Sequence, residues 1–401
     1  MKIHFIAIGG AVMHNLAIVL KQKGYEISGS DDEIFDPARS NLDKHEILPG
    51  EFGWFPERIS ADLDAVILGM HAKSGNPELK RAQQLGIKIY SFTEYLYDQS
   101  KNKKRVVVAG SHGKTTITSI VMHVLKHTGV DFDYLVGARI EGFDVMVRLT
   151  DAPLIVIEGD EYLTSALDHR PKFLHYHPHI ALISGIAWDH INVFPDFDRY
   201  VAQFAALADL VQPGGKLIYC GDDKLLEELM EKTIIRGECM SYGLPDYYVE
   251  NGKTYLLTGE DRQDAVPLRL FGQHNMLNIN GARMICNELG IEDRHFFEAI
   301  KTFRGAANRL ELLAESKHTA IYKDFAHAPS KLKATVDAVR SQYPERRLVA
   351  VMELHTYSSL SKEFLIQYRN TMDQADTPVV YFNPHAIALK KLPEISVSDV
   401  I

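Results

Sequence analysis

The sequence predicts an α/β protein carried on parallel sheets, and three stretches predict it. Near the start, Ile3-His4-Phe5-Ile6-Ala7-Ile8 is an apolar strand that breaks at Gly9-Gly10 and runs into an amphipathic helix ending near Lys23. Further on, Val106-Val107-Val108 is a β-branched run of the kind buried in parallel sheets, with glycines and an apolar helix pattern from Ile117 to Leu125 behind it. Later, a strand from Thr319 to Phe325 leads through Pro329 into a helix from Ser330 to Tyr343 and a strand from Arg347 to Leu354. Strand, helix and strand in alternation is the βαβ pattern of an α/β protein. The 401 residues are enough for two or three units of about 100–200 residues each.

Composition narrows the class. Hydrophobic residues make up 46% and charged residues 24%, ordinary values for a globular protein. A net charge of −9 with no basic stripe argues against nucleic acid as a partner. No window reaches the roughly 18 uninterrupted apolar residues of a membrane span. The apolar part of the amino terminus is too short for a signal peptide and reads as a first strand. Cys220, Cys239 and Cys286 are scattered and odd in number, which suits reduced thiols and predicts a cytoplasmic protein.

Taken in order, the first unit is a βαβ start of dinucleotide type. A second strand, Tyr25 to Ser28, ends in Gly29-Ser30-Asp31-Asp32. The G-x-G-x-x-G pattern is not met, but Asp31 follows the glycines at the distance from which a carboxylate meets a ribose hydroxyl. Short strands at Asp64–Leu68 and Lys88–Tyr90 flank a polar loop from His71 to Asn76. In open α/β sheets ligands bind beyond the carboxyl ends of strands, where these loops fall. Ser100-Lys101-Asn102-Lys103-Lys104 reads as a solvated linker.

The second unit opens with the main motif, Gly110-Ser111-His112-Gly113-Lys114-Thr115-Thr116, between a buried strand and a helix. Glycines let backbone N–H groups close on phosphates, and a helix N-terminus adds positive potential. Lys114 then supplies a point charge for the outer phosphates and Thr115 a hydroxyl for Mg²⁺. Only two residues separate Gly110 from Gly113, fewer than in the common phosphate loop. A strand from Pro153 to Ile157 ends in Glu158-Gly159-Asp160-Glu161, carboxylates suited to a hard cation. His175-Tyr176-His177-Pro178-His179 would align three imidazoles on one strand face, but Pro178 and the lack of nearby cysteines weigh against zinc. The strand Ile180–Ile183 leads to Asp189-His190, past a strand end and facing the crevice of Glu158. Pro213-Gly214-Gly215 turns into a strand from Lys216 to Cys220, and Gly272-Gln273-His274-Asn275 opens a helix with polar groups at its start. A boundary falls between Arg304 and Leu310, and about three strands remain after it, fewer than the usual five or six.

In this order the motifs resemble the Mur ligases, the ATP-dependent amide-forming enzymes of peptidoglycan synthesis, from Gly9 to about Ser359. Gly110 to Thr115 matches their short phosphate loop, Glu158 to Tyr162 their acidic magnesium motif, and Asp189-His190 the pair before a second magnesium position. Gly272-x-His274-Asn275-x-x-Asn278 resembles the adenine-side motif, Arg309 the arginine on the γ-phosphate, and Asp324-Phe325-Ala326-His327-x-Pro329 the start of the third domain. The resemblance implies a Rossmann-like acceptor domain (1–100), a central ATP-binding domain (101–308) and a Rossmann-like amine-substrate domain (309–401). The family's third domain continues beyond the length seen here, so this one reads as short. Lys323, Ala328 and Leu354-His355-Thr356-Tyr357 depart from the family's third-domain pattern.

The resemblance also assigns residues. Lys114, Glu158, His190, Arg309 and His327 form the catalytic set, with Thr115, Glu158 and His190 on Mg²⁺. ATP falls to Gly110, Ser111, His112, Gly113, Lys114, Thr115, Thr116, His274, Asn275, Asn278, Arg309 and Asp324. The UDP-sugar acceptor falls to Gly9, Gly10, Met13, Ser30, Asp31 and His71. Some relatives carry a carbamylated lysine after the histidine, which is excluded here because no lysine lies between His190 and Lys216. Within the family, His71-x-x-x-Gly75-Asn76-Pro77 and Lys172-Phe173-x-His175-Tyr176 are most similar to the branch joining a tripeptide to UDP-N-acetylmuramic acid. The branch adding L-alanine to that acceptor, the folate-polyglutamate ligases and a non-catalytic UDP-sugar-binding regulator are the alternatives. A monomer or weak homodimer is expected.

Overall fold

The computed structural model describes residues 1–188, 193–194, 196–259 and 262–400. The first unit is a four-stranded, all-parallel sheet in the order β2-β1-β3-β4. Its strands are β1 (Lys2–Ile6), β2 (Glu26–Ser30), β3 (Ala65–Leu68) and β4 (Ile89–Ser91), and its helices are α1 (Ala11–Gln22), α2 (Ala38–Lys44), α3 (Pro77–Gln84) and α4 (Phe92–Ser100). β1 and β3 are apolar at nearly every position because helices and loops cover both sheet faces, as in parallel sheets generally. The exceptions are Lys2, at the start of β1, and His4, fully buried, whose ring bonds Ser28 Oγ (2.8 Å) and lies 3.4 Å from Glu78.

The central unit holds β5 (Lys104–Ala109), α5 (Lys114–His127), β6 (Asp133–Leu135), β7 (Val147–Arg148), β8 (Leu154–Glu158), β9 (Ile180–Ile183), α6 (Phe197–Asp209), β10 (Lys216–Cys220), α7 (Lys224–Lys232) and β11 (Glu238–Tyr242). These strands form one sheet in the order β11-β10-β9-β5-β8-β6-β7, parallel except for β7. β5 is therefore central, and its carboxyl end emerges between those of β8 and β9, which bring Glu158 and Ser184 beside the glycine loop. A separate antiparallel sheet, β12 (Tyr247–Glu250), β13 (Lys253–Leu256) and β14 (Val266–Leu268), follows, and no pattern in the sequence announced it. Helices α8 (Gln273–Glu288) and α9 (Asp293–Ile300) then pack on α5.

The third unit has an antiparallel pair, β15 (Glu311–Glu315) and β16 (Ala320–Lys323), then α10 (Pro329–Gln342), then a parallel pair, β17 (Val349–Leu354) and β18 (Thr377–Phe382). Short helices α11 (Pro384–Leu389) and α12 (Val397–Val400) complete the described chain.

Two expectations are corrected. The basic run before β5 is solvated only in part: Lys101, Asn102 and Lys104 are exposed, while Ser100 and Lys103 are buried. Lys103 is buried, donating to Thr150 O and Ala152 O (2.7 Å each) and pairing with Asp133 at 2.9 Å. Buried Arg105 bonds the carbonyls of Ser100, Lys101, Lys103, Tyr176 and His177, so it stitches this segment to the central unit. The three histidines also do not share a strand face. His175 ends a 3-10 turn, Lys172–His175, His177 has φ of +44°, and His179 accepts from Arg105 N through Nδ1. The proline-bounded segment turns before the strand begins at Ile180.

Candidate active site

The glycine loop takes its shape from two close approaches. Gly110 (φ +123°) lies so near β9 that a Cβ there would sit 2.3 Å from Ser184 Oγ. Gly113 (φ +72°) lies so near α8 that a Cβ would sit 2.1 Å from Asn278 Oδ1. Both conformations are left-handed or beyond, where glycine is free and other residues are not. The two-residue gap thus lets the loop pass between β9 and α8 and enter α5 at Lys114 without a side-chain cap, leaving the helix N-terminal N–H groups for an anion. Ser111 is buried, its hydroxyl bonded to Tyr200 (2.7 Å) and accepting from Ala187 N (2.8 Å).

Behind the loop stands a charged layer. Lys114 Nζ lies 2.7 Å from Gly110 O and 2.5 Å from Glu161 Oε2. Burial opposes the lysine's charge, but the carboxylates of Glu161, Asp160 and Glu158 outweigh it and raise the pKa above its ordinary value. Thr115 Oγ1 donates to Glu158 Oε1 (2.8 Å), and Gly137 N donates to Glu158 Oε2 (2.7 Å). Burial pushes the Glu158 pKa up in spite of those two donors.

These groups line one cavity of about 340 Å³. Its floor is Ser111 to Thr116 with Glu158 and Glu161. One wall is the start of α8 with His274, Asn275 and Asn278, and the other belongs to the third unit with Arg309, Asp324 and His327. Burial lowers the His274 pKa, so its ring is neutral near pH 7. Asn275 Nδ2 donates to Phe271 O (2.9 Å), Arg309 stacks over Phe325 at 5.5 Å, and His327 Nδ1 lies 3.1 Å from Phe325 O. Asp324 binds Leu310 N (3.2 Å) and the Thr335 hydroxyl, which fixes the entry into β15 against α10. His112 reaches across the cavity to Ser330 Oγ (3.1 Å).

Thirteen predicted catalytic and ATP-binding positions therefore meet in one space although they come from two units, while Gly110 does not line it. His190 and its neighbour Asp189 lie outside the described residues. Ser184, Ser330 and Thr335 also line the cavity and were not anticipated. Lys331, Ala334 and Thr335 follow a helical spacing on α10 after His327, a signal available for the third-unit wall. A larger cavity of about 1540 Å³ opens beside β12–β14 and shares Asn275 and Leu310 with this one, but no phosphate-loop residue lines it.

The predicted acceptor residues gather at the end of β1 and β2. Gly9 N donates to Asp31 Oδ2 (2.7 Å), so the carboxylate secures the glycine turn. Burial pushes the Asp31 pKa up to about 6. Met13 and Ser30 are buried, and Arg58 Nη1 approaches Ser30 Oγ at 3.4 Å while its guanidinium stacks 4.0 Å over Phe55. Gly10 precedes α1, and His71 is exposed on the loop after β3.

A glycine loop at a helix N-terminus, with buried carboxylates beneath it and a second α/β unit across the cavity, is the arrangement of a nucleotide-dependent enzyme. Residues 2–104 match the Mur ligase family catalytic domain, 108–286 the Mur ligase middle domain and 308–393 the Mur ligase glutamate ligase domain. A UDP-N-acetylmuramate–L-alanine ligase of Sulfurihydrogenibium sp. is 32% identical over 385 residues, covering 94% of this chain and 82% of that protein. The UDP-N-acetylmuramate–L-alanyl-gamma-D-glutamyl-meso-2,6-diaminoheptandioate ligase of Haemophilus influenzae is 28% identical over 360 residues, covering 88% and 79%. The crystal structure of a ligase for the corresponding diaminopimelate tripeptide from Neisseria meningitides superposes with a TM-score of 0.67 at 26% identity, covering 76% of this chain and 98% of that one. The chain belongs to the Mur ligase family, whose members are ATP-dependent ligases that form amide bonds in peptidoglycan synthesis.

Proposed function

We propose that this chain joins UDP-N-acetylmuramic acid to the tripeptide L-alanyl-γ-D-glutamyl-meso-diaminopimelate, using ATP, in the recycling of peptidoglycan. The observation that carries a ligase reading is the convergence of Lys114, Thr115, Glu158, Arg309 and His327 on one 340 Å³ cavity. The choice of tripeptide is supported by His71 to Pro77 and Lys172 to Tyr176, as they stand in the sequence. The reading divides the chain into an acceptor unit (1–100), an ATP unit (101–308) and an amine unit (309–401), working in the cytoplasm as a monomer or weak homodimer.

In this reading Lys114 and Arg309 hold the γ-phosphate, while His274, Asn275, Asn278 and Asp324 face the nucleoside side. Gly9, Gly10, Met13, Ser30, Asp31 and His71 hold the acceptor. Magnesium suits Thr115 and Glu158, a hydroxyl and a carboxylate 2.8 Å apart in the cavity wall, both hard oxygen donors. The resemblance adds His190, which follows β9 in the sequence. Bound there, magnesium would neutralise charge on the phosphates. The lactyl carboxylate oxygen attacks the γ-phosphorus and ADP leaves. The amine nitrogen then attacks the acyl carbon, phosphate leaves, and the amine gives up a proton. Positioning and charge neutralisation accomplish this without a protein nucleophile. His327 orients the acyl or amine side.

The second reading, L-alanine as the amine, is favoured by the Sulfurihydrogenibium relative at 32% identity. Competition between tripeptide and L-alanine for one labelled acceptor separates the two. The tripeptide is expected to win by at least about tenfold in kcat/KM, roughly 1.4 kcal/mol of transition-state binding. Preferential capture of L-alanine overturns the first reading in favour of the second.

A further inference from the structure

The phosphate-loop lysine is held by a carboxylate that itself lines the cavity. Glu161 is 1% exposed, its Oε2 lies 2.5 Å from Lys114 Nζ, and both residues border the same space as Thr115 and Glu158. Asp160, next in line, is occupied by Lys172 at 2.5 Å. On the floor of the cavity Lys114 is therefore one cation against two carboxylates, Glu158 and Glu161, while Arg309, Lys331 and Asp324 line the opposite wall, on the third unit.

That charge count has a consequence for any polyphosphate. An anion approaching Lys114 competes with Glu161 for the same ammonium and meets the repulsion of both carboxylates, in an enclosed site where screening is weak. A divalent cation travelling with the phosphates reverses the sign of that encounter. We propose that Glu161 is a positioning residue that couples nucleotide binding to a divalent cation, by holding Lys114 until the cation compensates its charge. Glu158 does not fill this role, because its two oxygens accept from Thr115 Oγ1 and Gly137 N, while Lys114 Nζ donates to Gly110 O and Glu161 Oε2. The inference rests on the nucleotide reading of the cavity and adds the origin of its metal dependence.

Calorimetric titration of the full chain with ADP, with and without saturating Mg²⁺, measures the coupling as a ratio of two dissociation constants. Glu161→Gln keeps a hydrogen-bond acceptor for Lys114 but removes the charge. It is expected to tighten Mg²⁺-free ADP binding and to reduce the ratio by about tenfold, while Glu161→Asp stays within about threefold of the native ratio. Should the glutamine variant melt below the assay temperature, Glu161→Ser is read in the same way. A ratio unchanged in the uncharged variant, or both affinities weakened equally, overturns the proposal and makes Glu161 a packing residue. Absence of ADP binding by the native chain overturns the nucleotide reading as well, so the two failures are distinguishable.

Discussion

Lys114 is charged inside the protein because Glu161 is charged beside it. From sequence alone the lysine is expected to face phosphate and solvent, so that its removal abolishes ligation without touching stability. The structure encloses it against a carboxylate 47 positions away. Lys114→Ala is therefore expected to abolish ligation and also to lower stability by about 3 kcal/mol, the scale for breaking a buried pair from one side. Lys114→Met with Glu161→Gln is expected to regain most of that stability and none of the activity, as followed by thermal melts beside phosphate release. Asp31 presents the opposite case. Burial raises its pKa from the ordinary 3.8 to about 6, so the folded chain binds this proton more tightly than the unfolded chain does. Stability from this group then falls as pH rises from about 4 to about 6 and stays reduced above that. Asp31→Asn keeps an oxygen for Gly9 N and is expected to melt higher than the native chain at pH 8, by an amount worth about 1 kcal/mol, and equally with it near pH 4. A constant difference across that range would disprove the assignment.

At the scale of the element, α5 is placed by the loop that feeds it. Gly113 has φ of +72°, and a side chain there would meet Asn278 of α8. Gly129, just past the other end of α5, has φ of +74° with nothing within 4 Å of its Cβ position. Both alanine variants bear the left-handed conformational cost of about 1 kcal/mol, but only Gly113→Ala adds a collision. Gly113→Ala is expected to lose about 1–2 kcal/mol more than Gly129→Ala in chemical denaturation, and to bind ADP poorly, whereas Gly129→Ala binds it normally. The loop and its helix were legible in the sequence because glycine spacing and apolar periodicity are local signals. The segment before β5 was not. Lys103 read as a solvated charge, yet it is buried against two backbone carbonyls, which carry no side-chain signature, and against distant Asp133. The β12–β14 sheet escaped for a similar reason, being short, partly exposed and antiparallel within a chain of parallel units.

For the whole molecule, the cavity exists only because the third unit docks on the central one. Buried Thr254 donates to Gln342 Oε1 (2.9 Å), and Gln342 Nε2 donates to Gly252 O (2.6 Å), joining the end of α10 to the β12–β13 turn. Gly272 lets the two units approach so closely that a Cβ on it would lie 2.4 Å from Ala338 Cβ. Losing the Gln342 amide leaves the Thr254 hydroxyl without that acceptor and weakens the dock by about 1–3 kcal/mol. Gln342→Leu is expected to lower kcat/KM for ATP by about tenfold with the circular dichroism spectrum unchanged. Full activity in that variant would show that closure does not depend on this contact. Gly305, with φ of +95° between α9 and β15, is the place where the chain turns from one unit to the other.

By itself the sequence determined the α/β class, the order of the three units' motifs and most of the cavity's lining, from Lys114 and Glu158 to Arg309 and His327. Those features are written in strand and helix periods and in residues a few positions apart, so they survive without knowledge of the fold. Only the tertiary structure decided that Glu161 holds Lys114, that Asp31 closes its own glycine turn, that Arg105 stitches the first boundary and that His112 meets Ser330, 218 positions away. Each of these is a contact between a polar group and a partner chosen by sheet order and unit docking. A side chain's identity states what it can bond, and the packing of distant segments settles which of the available partners it reaches.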